Sequence, residues 1–179
     1  MAVNVRDTMT ADGKRLEKLL KELGQMEVRI GIQEMSSDGQ GKYDGEKIFA
    51  KGGTRDETGK IVDSDVSLID IAMYNELGTE HIPSRPFLRD SVDANENKIN
   101  RFLKSMKQEI LHGSSAEEVL KKIGTFQKGL IQEQIVKGSF ASNVESTVRK
   151  KGSDKPLVDT GRMRQSVNYV IQKKGSSDN

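Results

Sequence analysis

The sequence predicts an α+β fold: a small antiparallel sheet with N- and C-terminal strands, covered by several helices, two of them long and amphipathic. Three observations lead there. The segment MEVRIGI (26–32) alternates strictly, with Met26, Val28, Ile30 and Ile32 on one side and Glu27, Arg29 and Gly31 on the other. Near the other end, Val167, Tyr169 and Ile171 alternate with Asn168 and Val170 in the same way. Between these half-buried strands, apolar residues recur at the helical period over long stretches.

Taken in order, residues 1–10 show no period and are expected to fray. From Asp12 the set Leu16, Leu19, Leu20 and Leu23 follows the i, i+3, i+4, i+7 rule, with Gly24 placed as a stop. Residues 34–65 are rich in glycine, serine, aspartate and lysine and cannot order themselves on their own burial. Apolar spots at 48–50 and 61–62 allow a flexible β-hairpin there, or a loop that orders on a partner. Ser64 or Asp65 can cap the next helix, which carries Leu68, Ile69, Ala72, Met73 and Leu77 and ends at Gly78.

Pro83 and Pro86 then impose a stiff connector, because each ring fixes φ and disfavours helix in the residue before it. Pro86 also suits the first turn of a helix running through Leu88, Val92, Ile99, Phe102, Leu103, Met106 and Ile110 to Gly113. Ser115 and Glu118 have capping-box spacing ahead of an apolar stripe reaching Gly138. Gly124 and Gly129 within that stripe each cost about 1 kcal/mol relative to alanine, which points to a close neighbour or a bend. Residues 139–155 are polar and expected to be mobile. A single domain over residues 1–179 is expected, with a flexible loop at 34–65 and a disordered tail at 173–179.

Composition narrows the function. Hydrophobic residues make up 34% and aromatics 4%, with no tryptophan, so the core is modest and neighbouring subunits are expected to finish part of the surface. The absence of cysteine excludes disulfides and thiolate metal sites and suits assembly in a reducing cytoplasm. With only His81 and His112 available, no metal site and no cofactor are expected. A net charge of +2 is too balanced for a DNA-binding stripe, although Lys150, Lys151, Lys155, Arg162, Arg164, Lys173 and Lys174 make the C-terminal third locally basic. A solvated face is the expected role of those residues; a nucleic-acid-binding adaptor is the alternative. No apolar run approaches the ~20 residues that span a bilayer.

Asp159-Thr160-Gly161 spells the triplet that carries the catalytic carboxylate of aspartic proteases. Such an enzyme needs two carboxylates sharing a proton, so Asp159 would have to meet its own copy in a homodimer. The fold of those enzymes is almost wholly β-strand, and Arg162 and Arg164 so close by would keep both carboxylates ionised. A structural turn is the better reading, with Asp159 or Thr160 capping one helical turn that feeds the last strand. Glu76, Glu80 and His81 could be imagined as an acid/base set, but no nucleophile, phosphate loop or metal spacing accompanies them, and both glutamates are expected to be solvated. In PSRPFLR (83–89), Arg85 and Arg89 are expected to pair with carboxylates within or between subunits, with a DNA phosphate contact as the alternative. Phe87 is an anchor for the core or for a neighbour's pocket.

Together, VRIGI (28–32), IAMYNELGTEHIPSRPFLRDS (71–91) and PLVDTGRMRQSVNYVI (156–171) resemble the neck and tail-completion proteins of tailed bacteriophages, the virion morphogenesis or tail-component family. The chain departs from the family pattern at Leu77, where an aromatic is usual, and at Met163, where leucine is usual. The resemblance implies a non-enzymatic virion protein at the head–tail junction or tail, assembled in the host cytoplasm as a ring-shaped homo-oligomer. Its implied partners are head–tail connector, tail terminator or tail tube proteins, with phage DNA nearby and no membrane. Tyr74, Glu76, Pro83, Arg85, Pro86, Phe87 and Arg89 are then the expected subunit interface, and Asp159, Thr160 and Gly161 a structural turn.

Overall fold

The computed structural model describes residues 9–33, 51–55, 58 and 60–175. The expectations for residues 1–8, for most of the glycine-rich loop including the apolar spot at 48–50, and for residues 176–179 lie outside the described residues.

The architecture is the expected α+β one. Helix α1 (Ala11–Gln25) begins at Thr10, whose Oγ1 accepts the Gly13 N–H at 3.2 Å. It leads directly into β1 (Met26–Ile32), which pairs antiparallel with β4 (Val167–Lys173), in register from Met26 opposite Lys173 to Ile32 opposite Val167. Two backbone bonds bracket this ladder and fix its phase: Gln33 N–H to Ser166 O at 2.7 Å, and Lys174 N–H to Gln25 O at 2.8 Å. Hydrogen-bonded pairs therefore fall at Gly31/Asn168, Arg29/Val170 and Glu27/Gln172. The intervening residues Tyr169 and Ile171 turn their N–H and C=O groups away from β1. One face of the sheet is polar, with Gln172 Nε2 and Arg29 Nε both donating to Glu27 Oε1 at 2.9 Å.

The long helix α5 (Ala116–Lys137) packs across both strands. Its capping box forms as the spacing predicts: Ser115 Oγ accepts the Glu118 N–H at 3.2 Å, and Glu118 Oε2 accepts the Ser115 N–H at 2.8 Å. These bonds, the backbone one foremost, hold the Glu118 carboxyl below its ordinary value of 4.5. A carboxyl with a depressed folded-state pKa contributes stability that is present above its unfolded value and lost as pH falls through the folded one. Glu118→Gln keeps an acceptor without the charge. Thermal melts from about pH 3 to 7 should find the variant less stable than the parent at neutral pH, with the gap closing at the acid end.

The two helix-interior glycines differ. A Cβ on Gly124 would lie 2.5 Å from the Tyr169 ring, so this glycine exists to let β4 approach α5, whereas Gly129 has nothing within 4 Å. Gly129→Ala should stabilise by up to about 1 kcal/mol in urea unfolding. Gly124→Ala should destabilise instead, because displacing the ring costs about 1–3 kcal/mol against the same propensity gain.

The second sheet is the hairpin of β2 (Lys51–Arg55) and β3 (Ile61–Ser67). Strand β3 continues to Ser67, so the cap of α2 (Leu68–Leu77) is Ser67 and not Ser64 or Asp65; its Oγ accepts the Asp70 N–H at 3.0 Å. The single helix expected from Pro86 to Gly113 is two, α3 (Phe87–Asp93) and α4 (Glu96–Leu111). Asn95 sits at the break with φ −120°, its Nδ2 donating to Ser91 O at 3.1 Å, a local bond that competes with the helical ladder. Within the stretch expected to be mobile stands α6 (Glu145–Lys151), closed by Gly152 at φ 66°. A last turn, α7 (Arg162–Gln165), precedes β4. The main core joins Leu68, Ala72, Phe87, Ile131, Ile135, Met163 and Val167. Phe102 and Phe126 stack at 4.0 Å between α4 and α5.

Candidate functional site

The corner between α2 and α3 is built on Gly78, whose φ of 78° favours glycine and whose Cβ would meet Ser84 N at 2.9 Å. Thr79 then closes the loop: its N–H donates to Ile82 O at 2.8 Å and its Oγ1 accepts the Ile82 N–H at 3.0 Å. Ser84 Oγ donates back to Glu76 O at 2.9 Å. The Thr79–Ile82 bonds close the connector on itself, and the Ser84 bond, with the one from Arg85 N–H to Asn75 O, ties it to the last turn of α2, so the proline-stiffened segment is held rigidly.

Glu76 has a role that its sequence position hid. Its carboxylate accepts the Leu88 N–H at 2.8 Å and the Arg89 N–H at 3.1 Å. Helix α3 starts at Pro86 without a side-chain cap of its own, and Glu76, one helix away, supplies it. The expectation of a solvated Glu76 is thereby corrected; Glu80 and His81 are exposed, and the three do not form an acid/base set.

Arg85 is 6% exposed and acts as a hub. Its Nε donates to Ala141 O and its Nη1 to Asn75 Oδ1, both at 2.8 Å, and its Nη2 reaches Ser142 O at 3.1 Å and Asn143 Oδ1 at 3.4 Å. Its partners are carbonyl and amide oxygens, in place of the carboxylates expected. A guanidinium fork suits this, since its fixed donors satisfy several acceptors at once. Burial pulls its pKa below the usual arginine value. Phe87 is fully buried in its own chain's core, and Pro86 is half-buried. Of the seven residues expected at an interface, Tyr74, Pro83 and Arg89 present exposed side chains, while Glu76, Arg85 and Phe87 are engaged internally.

The DTG segment faces this corner. Val158 N–H bonds Pro156 O at 2.7 Å across Leu157, whose φ of 59° marks a positive-φ γ-turn, a strained conformation. Gly161, at φ 78°, takes the N-cap position of α7, and no side chain caps that turn. Neither Asp159 nor Thr160 is the cap expected there; Thr160 Oγ1 instead accepts the Arg162 N–H at 3.3 Å. Met163 is buried in the main core. A cavity of about 300 Å³ lies between the two segments, lined by Asn75, His81, Pro83, Arg85, Asn143 and Asp159 among others.

What sequence reasoning missed is the apolar outer face of α2. Ile69, Met73 and Leu77 lie one turn apart at 39%, 46% and 65% exposure, with Tyr74 beside them at 38%. The signal was present: α2 is apolar nearly all round, and one helix cannot bury every face against a modest core. Among the described residues no group of three or more His, Asp or Glu is placed to hold a metal ion, and no helix is long and apolar enough to cross a membrane. Comparison of the chain with family models, with curated proteins and with solved structures finds no match.

Proposed function

We propose that this chain is a structural protein of the phage neck or tail, which completes the tail or joins it to the head by assembling into a ring and contacting other virion proteins. On this reading it catalyses no reaction. The observation that carries the proposal is the outer face of α2, where four large side chains stand in solvent beside a corner locked by internal bonds. A rigid, apolar surface suits a subunit contact, because little order has to be imposed on binding. The arrangement of the three quoted segments supports it too: the first and third pair as β1 and β4, and the second and third face one cavity. Partners on this reading are further copies of the chain and connector, terminator or tube proteins of the same virion.

Two measurements bear on it. Negative-stain imaging of virions with an antibody to this chain should place label at the head–tail junction or on the tail. Label confined to the capsid shell, or absent from particles, would overturn the proposal. Met73→Asp should leave the unfolding free energy of the isolated subunit nearly unchanged, within about 0.5 kcal/mol, while assembly is lost from the mass distribution.

A further inference from the structure

Strand β4 ends its sheet. It pairs with β1 alone among the described strands, and the ladder's phase points the N–H and C=O groups of Tyr169 and Ile171 outward. Beside that edge runs a cleft of about 590 Å³ between β4 and α5, lined on the helix by Lys121, Thr125, Lys128 and Gln132. These recur at helical spacing along the cleft's length. An outward row of backbone donors and acceptors next to an open cleft is a template for one more strand.

We propose that this edge and cleft receive strand β3 from a second copy of the chain, so that the sheet continues from subunit to subunit. The inference rests on the ring reading above and names its contact. Three observations choose the occupant. Among the described residues the β2–β3 hairpin forms a sheet of two strands, a unit marginal on its own that has an edge to offer. The segment IVDSDVS that forms β3 brings two carboxylates and no base. In the cleft, Glu117 is already paired with Lys121 at 2.7 Å, which leaves positive charge at Lys128, whose Nζ lies 3.3 Å from the buried Asn168 Oδ1. Pairing two β4 edges about a two-fold axis would instead set like charges against each other. Finally, β3 runs into α2 without a break, so one neighbour covers both the hairpin edge and the exposed Ile69, Met73 and Leu77. A contact between unlike surfaces repeats head to tail, and closes into a ring or polymerises.

The chain contains no cysteine, so single-cysteine variants report contacts cleanly. Ile171→Cys protein is mixed at high concentration with Val62→Cys protein, and separately with Asp63→Cys protein, so that each face of β3 is sampled. Oxidation should give a mixed disulfide dimer in at least one mixture, on the order of tenfold above Ile171→Cys alone, because proximity raises the effective concentration. Ile171→Pro removes one outward N–H and spares the bonds to β1, so its circular dichroism should match the parent while its oligomers disappear. Disulfide dimers of Ile171→Cys alone would overturn the proposal in favour of a two-fold β4 contact. Parent-like oligomers of Ile171→Pro, without a mixed disulfide, would overturn it and leave the ring reading standing. A parent chain that stays monomeric and is absent from virions would overturn both.

Discussion

Arg85→Ala is expected to lower stability by about 3 kcal/mol or more, with a fall in melting temperature of roughly 6–12 °C for a domain of this size. The substitution strands the Asn75 Oδ1, Ala141 O and Ser142 O acceptors that the guanidinium now satisfies. Hydrogen bonds to a charged donor are worth about 1.5–3 kcal/mol each, and a buried acceptor left without a donor bears the desolvation cost as well. The loss should be largest in the loop at 141–143, which reaches the α2 corner chiefly through this side chain. Arg85→Lys tests the mechanism: an ammonium on a flexible stem cannot hold three separated acceptors in one plane, so it should recover less than half of the loss. Urea unfolding of the three proteins decides it. Parent-like stability of Arg85→Ala would show that the hub contributes nothing.

Phe87→Ala is expected to cost about 3–5 kcal/mol, as large a loss as any single truncation in this chain. The ring is fully buried among Leu68, Ala72, Ile131, Ile135, Met163 and Val167, which come from β3's successor helix α2, from α5, α7 and β4. No one of those elements can move in to fill the space without leaving another. The urea midpoint should fall with the slope unchanged, as expected for a cavity in an intact fold. Combining this change with Arg85→Ala should give less than the sum, since residues this close share a backbone and a corner. The contrast with Met73→Asp is the useful one. Core and hub changes should lower the stability of the subunit, whereas on the proposed function a change on the outer face of α2 should alter assembly alone.

Local patterns were legible where one element decided its own fate. The alternation in 26–32 and 167–171, the leucines after Asp12 and the Ser115/Glu118 box all specify structure within a few residues, and each stands where it was expected. Misreadings arose where a second segment decides. Glu76 reads as a solvated helix-end residue until α3 is folded back over it, and only then do its oxygens meet the Leu88 and Arg89 N–H groups. Arg85 reads as a carboxylate partner until the 141–143 loop arrives, 56 residues on in the case of Ala141. Asn95 breaks a helix through a bond of its own to Ser91, although the apolar period runs on past it. Gly161 reads as the residue after a cap, and its positive φ makes it the cap position itself. The exposed face of α2 was hidden for the opposite reason, because its residues look like core and only their surroundings show that they are not.

The claim beneath all of this is that the chain works by the surfaces it offers to other proteins. On the proposed function the gene belongs to a phage, and the most direct test is a stop codon placed early in it, with purified protein added back to the lysate. The account predicts that infective particles vanish while head and tail parts accumulate apart, and that added parent and Asp159→Asn proteins restore infectivity equally. Normal yields of joined particles without the chain, or restoration by the parent and not by Asp159→Asn, would contradict it.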